Sequence, residues 1–168
     1  LDLPMPITGD RAEFTETLIE NLSQHPWAHL PVTLELEVRD ARDQVGQSLP
    51  EKMTLPARRF FDPMAAAVIE QRRDLLWAKA NGKRVAQVLR AVSYQPDPGL
   101  FRSETAYLRL RVILRRLETL VRHDSLDSEA QDGIAEALWD LALVLEEGDI
   151  GDALERMRAA QERLSEAM

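Results

Sequence analysis

The spacing of apolar positions changes once along this chain. Before residue 56 it alternates; after residue 63 it follows the helical period. The clearest alternation is VTLELEVR at 32–39. It puts Val32, Leu34, Leu36 and Val38 on one face and Thr33, Glu35, Glu37 and Arg39 on the other, which predicts a half-buried strand. DARDQVG at 40–46 predicts the hairpin connection, and a return strand follows near Glu51–Leu55. EFTETLIENLS at 13–23 is ambiguous, and Phe14, Glu16, Leu18, Glu20 and Leu22 lean it towards a strand. Leu1–Pro4 reads as a short terminal strand, which Pro4 and Pro6 confine to an edge. In HPWAHLP, two prolines bracket Trp27, which predicts a turn or a single helical turn with the indole buried beneath it.

The stretch Leu55–Trp77 carries the change. Pro56 ends the last strand, and Phe60-Phe61 is placed to pin the first helix onto the strands. Asp62 suits an N-cap and Pro63 the first helical position, where a missing N–H costs nothing. The helix runs to about Ala80 with Met64, Val68, Ile69, Leu75 and Leu76 in its stripe and Glu70, Arg72, Arg73 and Asp74 outside it. Asn81-Gly82 breaks it, and a shorter second helix carries Val85, Val88, Leu89 and Val92. QPDPGLF is a loop, and Ser103 caps a third helix with Tyr107, Leu110, Leu114, Leu117 and Val121 in a heptad seam. Asp127 or Ser128 caps a fourth, with Ile134, Leu138, Leu141 and Leu145 in its seam. Gly148 is placed to end it as a C′ residue, and Asp149 to cap a fifth carrying Ala153, Met157, Ala160 and Leu164. The last two would form an αα-hairpin with a very short turn. The expected fold class is therefore α+β: a small antiparallel β module at 1–56, then an antiparallel bundle of four to five helices at 57–168.

Composition fits a folded chain: 168 residues, 45% hydrophobic and 30% charged. The absence of cysteine excludes disulfides, thiolate metal sites and cysteine catalysis. No apolar run approaches a membrane span, and no signal peptide is visible. The chain opens at Leu1 without an initiator Met and reads as a piece of a longer protein. Charge is unevenly placed. Residues 1–56 hold 4 basic and 10 acidic side chains, residues 57–122 hold 14 and 6, and residues 123–168 hold 3 and 13. Either the basic middle meets an anionic partner, or it complements the acidic end that follows; the second reading is preferred because that end can fold back. Arg115 and Arg122 would then approach Asp132, Glu136 or Asp140.

Candidate chemistry is thin. His25 and His29 stand four apart, as metal ligands on a helix would, but Pro26 and Pro31 deny them that helix and no third ligand is evident. They read as turn residues. Glu146, Glu147, Asp149 and Asp152 lack the alternate spacing of a calcium loop and read as helix-capping and first-turn acids. There is no G-x-S-x-G, no P-loop and no G-x-G-x-x-G. The twelve arginines from Arg58 to Arg122 lack interleaved aromatics and any nucleic-acid motif, so a solvated or salt-bridged face is expected and no nucleic acid. LEEGDIGDALERMRAAQERL resembles one tetratricopeptide turn, but occurs once. No catalytic, cofactor-binding or metal residue is assigned, and no cofactor is expected.

LPARRFFDPMAAAVIEQRRDLLW, RVAQVLRAVS, YLRLRVILRRLE and LWDLALVLEEGDIGDA together resemble a bacterial envelope family, domain of unknown function 4175. HPWAHLPVTLELEVRDARDQVG fits it too, and is similar to the last strands of an immunoglobulin-like sandwich. The resemblance implies a longer, membrane-anchored parent with transmembrane helices upstream, the first half of the sandwich before Leu1, a Gln-rich tail beyond Met168 and a place on the periplasmic side of an inner membrane. It carries no catalytic residues. Two function classes follow. One is a non-enzymatic envelope scaffold presenting surfaces to unknown protein partners, with self-association through an open sheet edge or the helices. The other is an enzyme or enzyme regulator acting on cell-wall or lipid material at the junction of the modules, which would need a polar pocket near Phe60, Phe61 and Trp77. The lack of nucleophile, metal and phosphate signatures favours the scaffold.

Overall fold

The run at 31–39 does form strand, but in two pieces: β1, Pro31–Leu34, and β2, Glu37–Arg39. The structure is a computed structural model and describes residues 1–5, 14–95, 100–101 and 104–166. It combines two small antiparallel sheets with several helices, an α+β mixture. The chain divides into two units, Leu1–Ala57 and Arg58–Met168.

In the first unit β1 pairs with β4, Glu51–Thr54, and β2 with β3, Val45–Gln47. Between the two ladders Glu35 and Leu36 face three residues, Ser48, Leu49 and Pro50. The extra residue on the return side acts as a bulge, and Pro50 has no N–H to offer there. Ser48 holds the break together: its N–H donates to the Leu36 carbonyl at 2.9 Å and its hydroxyl accepts from the Leu36 N–H at 3.0 Å. The connection is tighter than expected from 40–46. Asp40 closes it, with Oδ1 accepting from the N–H groups of Arg42 and Gln44 at 2.7 and 2.9 Å. Asp43 sits at φ 59°, a conformation that aspartate tolerates through local hydrogen bonding.

Three expectations fail in this unit. Residues 1–5 and 14–22 form no strand, because alternation needs a neighbouring strand to pair with and none reaches them among the described residues. Trp27 is not buried but 40% exposed; it follows a proline in an open turn, its ring edge-on to His25. The apolar positions Leu34, Leu36, Val38 and Val45 are also exposed.

In the second unit α1, Pro63–Trp77, starts as expected. The Asp62 carboxylate accepts from the Ala65 N–H at 2.8 Å. The helix stops at Trp77, before Ala80: Ala78 is extended, and Lys79–Asn81 makes a single 3-10 turn. The Asn81 side-chain amide donates to the Asp74 carbonyl at 2.8 Å, satisfying one orphan acceptor of that end. Next come α2, Gly82–Val92, α3, Glu104–Arg122, and α4, Ser128–Glu166. Gly82 is required by close approach: a Cβ there would stand 2.8 Å from Leu126 Cδ2 and 3.1 Å from Val121 Cγ2. Asp127 caps α4, accepting from the Ala130 N–H at 2.8 Å. The expected Ser103 cap of α3 lies outside the described residues.

Leu110, Leu114 and Leu117 of α3 are buried with Ile134, Leu138, Leu141 and Leu145 of α4 in one hydrophobic core, which Met64, Val68 and Leu75 of α1 and Val85 and Leu89 of α2 complete. The seam of α4 is wider than a heptad because it meets two neighbours. It packs along α3, as the short connection implies, and still more extensively along α1. The expected fifth helix does not exist. α4 continues through Gly148 as one helix of 39 residues, which replaces the short-turn hairpin. Gly148 has no neighbour within 4 Å of a built Cβ. A glycine ends a helix only when the chain needs a left-handed turn, and nothing here folds the chain back. Its only intrinsic effect is a local cost in helix propensity.

Leu114→Ala or Leu141→Ala should cost about 2–5 kcal/mol, because each is essentially fully buried. Raising salt to ~1 M should shift denaturant midpoints much less, because the ion pairs are exposed. Urea unfolding followed by circular dichroism checks both, and unfolding by salt alone would reverse the order of these effects. Gly148→Ala should strengthen α4 locally by about 0.5–1 kcal/mol. Slower amide exchange at 149–152 is the expected readout; were Gly148 a helix terminator, exchange there would speed up.

Candidate functional site

Two places in the helical unit gather side chains beyond what the core requires. The first joins the start of α1 to α4. Here Glu146 performs a role that its sequence position did not suggest. Its carboxylate accepts from the Phe61 N–H, at 3.1 and 2.9 Å to its two oxygens, and from the Asp62 N–H at 2.9 Å. It therefore acts at the start of α1 and not at a helix following Gly148. Glu147 pairs with Arg58 at 3.5 Å. Asp149 and Asp152 lie outside the described side chains. Phe60 and Phe61 do not act as a pair. Phe60 packs edge-on against Trp139 at 5.5 Å, whereas Phe61 is 81% exposed.

The same face holds Arg72, which the helical pattern placed outside the apolar stripe. It is buried. Its Nε–H donates to the Ala135 carbonyl at 3.0 Å, and its guanidinium lies over the Trp139 ring at 5.3 Å. Burial pushes its pKa down from the ordinary arginine value. One turn further along, Gln131 donates from Nε2 to the Leu75 carbonyl. These contacts run 61 to 146, 72 to 135 and 75 to 131, so α1 and α4 are antiparallel. These contacts join side chains of one helix to the backbone of the other, so the cluster is an architectural polar seam.

The second place is the outer face of α3. Leu108 and Val112 are exposed, at 56% and 68%. Thr119 and Leu120 continue along this helix, and Arg111, Arg115 and Arg116 flank them, so the feature is an exposed face of one helix. Leu108 and Val112, at i and i+4, share a face with Thr119 at i+11, opposite the buried seam, whereas Leu120 packs against the core. That stripe was legible in YLRLRVILRRLE, but the heptad seam was read in its place. Arg116 also reaches over Gly133 of α4, its Nη2 3.4 Å from a Cβ built there.

The other arginines divide as a salt-bridged face would: Arg84 pairs with Asp74 at 2.8 Å, and Arg90 with Glu118. That second pair ties α2 to α3 and takes the place of the expected pairing of Arg115 or Arg122 with α4, which is not among the ion pairs of the described residues. His25 and His29 stand in turns. The His25 Nδ1 accepts from the Trp27 N–H at 3.1 Å; burial, and then the N-terminal ammonium, lower its pKa. His29 sits at φ 65°, its N–H donating to the Leu55 carbonyl at 3.0 Å. Among the described residues no group of three or more His, Asp or Glu is placed to hold a metal. No helix among them is long and apolar enough to cross a membrane.

A family model described as domain of unknown function (DUF4175) matches residues 1–168. Comparison with curated proteins and with solved structures gave no match.

Glu146→Ala should cost about 1–2 kcal/mol, because three charge-assisted bonds at a half-exposed site are lost. Glu146→Gln should recover part of that, since its oxygen still accepts. Thermal unfolding of the three proteins checks the ranking; equal midpoints would remove Glu146 from the start of α1.

Proposed function

The chain belongs to the family described as domain of unknown function (DUF4175), and on that footing we propose that it is a non-enzymatic interaction module of the bacterial cell envelope. In this reading it is part of a larger membrane-anchored protein on the periplasmic side of the inner membrane, and its partners are proteins. The observation that carries the proposal is the outer face of α3, where Leu108 and Val112 stand in solvent flanked by arginines. Exposed apolar surface rimmed by polar residues marks interaction surfaces, and arginine is favoured at interfaces.

The finer fold reading belongs to the same proposal. The ribbon of the first unit is the end of an immunoglobulin-like sandwich, and its exposed Leu34, Leu36 and Val38 are the positions that the rest of such a sandwich would cover. The second unit is an antiparallel helical bundle, supported by the α1–α4 register.

A photo-crosslinking residue at Val112 of the full-length protein, in its own cells, tests the proposal. Discrete cross-linked protein species are expected, and none from the same probe at Glu129, an exposed residue in the first turn of α4. No difference between the two positions, together with release of products from peptidoglycan or phospholipid vesicles by the purified protein, would overturn it in favour of an enzyme.

A further inference from the structure

α4 is far longer than the core it serves. Among the described residues, Leu145 is the last buried core residue of α4. Arg116 lies at Gly133, and both helices rise by 1.5 Å per residue. Counting back along α3 from Arg116 reaches Glu104, its first residue, where counting forward along α4 from Gly133 reaches Leu145. Beyond that point α4 overhangs. In residues 149–166 every described side chain, Met157 among them at 60%, is exposed. Yet the sequence there keeps Ala153, Met157, Ala160 and Leu164 at spacings of 4, 3 and 4, an apolar stripe that water does not stabilise.

We propose that this overhang packs on the outer face of α3 of a second copy of the chain, each copy giving one helix and receiving one. The inference rests on the reading of the α3 face as an interaction surface, and it names the occupant. Three observations point to a second copy. First, α4 is continuous and runs back along α3, so its overhang leads away from its own α3 face and does not turn back to cover it. Second, the lengths are comparable: residues 146–166 span about 31 Å and α3 about 28 Å, at 1.5 Å per residue. Third, the charges are opposite. α3 carries five arginines against two glutamates, whereas residues 149–166 carry five acids against three arginines. Reciprocal exchange gives a closed two-fold pair, in which the same two surfaces meet twice.

The absence of cysteine makes a clean test possible. Val112 and Met157 lie near the midpoints of α3 and the overhang, so they meet whichever way the two helices run. Val112→Cys and Met157→Cys proteins are mixed and mildly oxidised. The expected result is a disulfide-linked species of about twice 19.1 kDa, formed at least about tenfold faster than from either variant alone. The control pairs Val112→Cys with Leu49→Cys, an exposed residue of the other unit, and should be equally slow. Val112→Glu and the double variant Arg111→Glu, Arg115→Glu should weaken association in sedimentation by at least about tenfold with unchanged circular dichroism, since all three side chains are exposed. A monomer at every concentration, or cross-linking no faster than the control, overturns the exchange. If a Val112 probe in cells still captures a different protein, the α3 face remains an interaction surface and only the self-pairing fails. If it captures nothing, both readings fail.

Discussion

The helical unit depends on one constraint: a single stripe of α4 must bury itself against two helices at once. Ile134, Leu138, Leu141 and Leu145 lie in the shared core, and α4 packs most extensively on α1 and α3. Each fully buried leucine or isoleucine stabilises by roughly 1.5–3 kcal/mol, whereas an exposed ion pair such as Arg84–Asp74 contributes about 0–1 kcal/mol. Apolar burial therefore holds the unit together, and the charges act on specificity. The same demand explains why α4 has a broad buried face that includes Ala135, Trp139 and Ala142.

Apolar contact alone leaves two helices free to slide by a turn. The polar seam between α1 and α4 removes that freedom. Glu146 receives the Phe61 and Asp62 N–H groups, Arg72 reaches the Ala135 carbonyl and Gln131 the Leu75 carbonyl. A shift by one turn would leave a buried guanidinium and a buried amide without these partners, at a cost of about 1–3 kcal/mol each, more for the charge. The seam therefore gives α1 one position on α4. With α1 and α3 both in place on its inner stripe, α4 leaves the outer face of α3 uncovered and carries its own C-terminal half clear of the core. The surfaces available for interaction are thus consequences of how the core closes.

Much of this was legible beforehand because it is local. The alternation of 32–39, the Asp62-Pro63 helix start and the Leu110–Leu114–Leu117 seam each depend on residues within a few positions of one another. The errors share a different character. EFTETLIENLS had the right parity, but a strand needs a partner that alternation does not supply. Gly148 had the right residue type for a terminator, yet glycine permits a left-handed turn without imposing one. Arg72 had the wrong polarity for a core position, and its burial is tolerated because surfaces such as the Trp139 ring and the Ala135 carbonyl stand opposite it. Phe60 and Phe61, adjacent in the chain, point to different environments because the helix start rotates one inward and the other out.

The sequence by itself determined the α+β composition, the start of α1, the buried seams of α3 and α4 and the uneven charge, since each is a matter of local period or residue count. Only the tertiary structure decided that α4 runs unbroken through Gly148, that Glu146 serves the start of α1, that Arg72 lies inside and that the 108–112–119 stripe of α3 stays in solvent. Those outcomes turn on which surfaces meet across long stretches of chain. The physical reason is that burial and hydrogen-bond satisfaction are properties of opposed surfaces, and a residue's own neighbours in the chain do not specify what will stand opposite it.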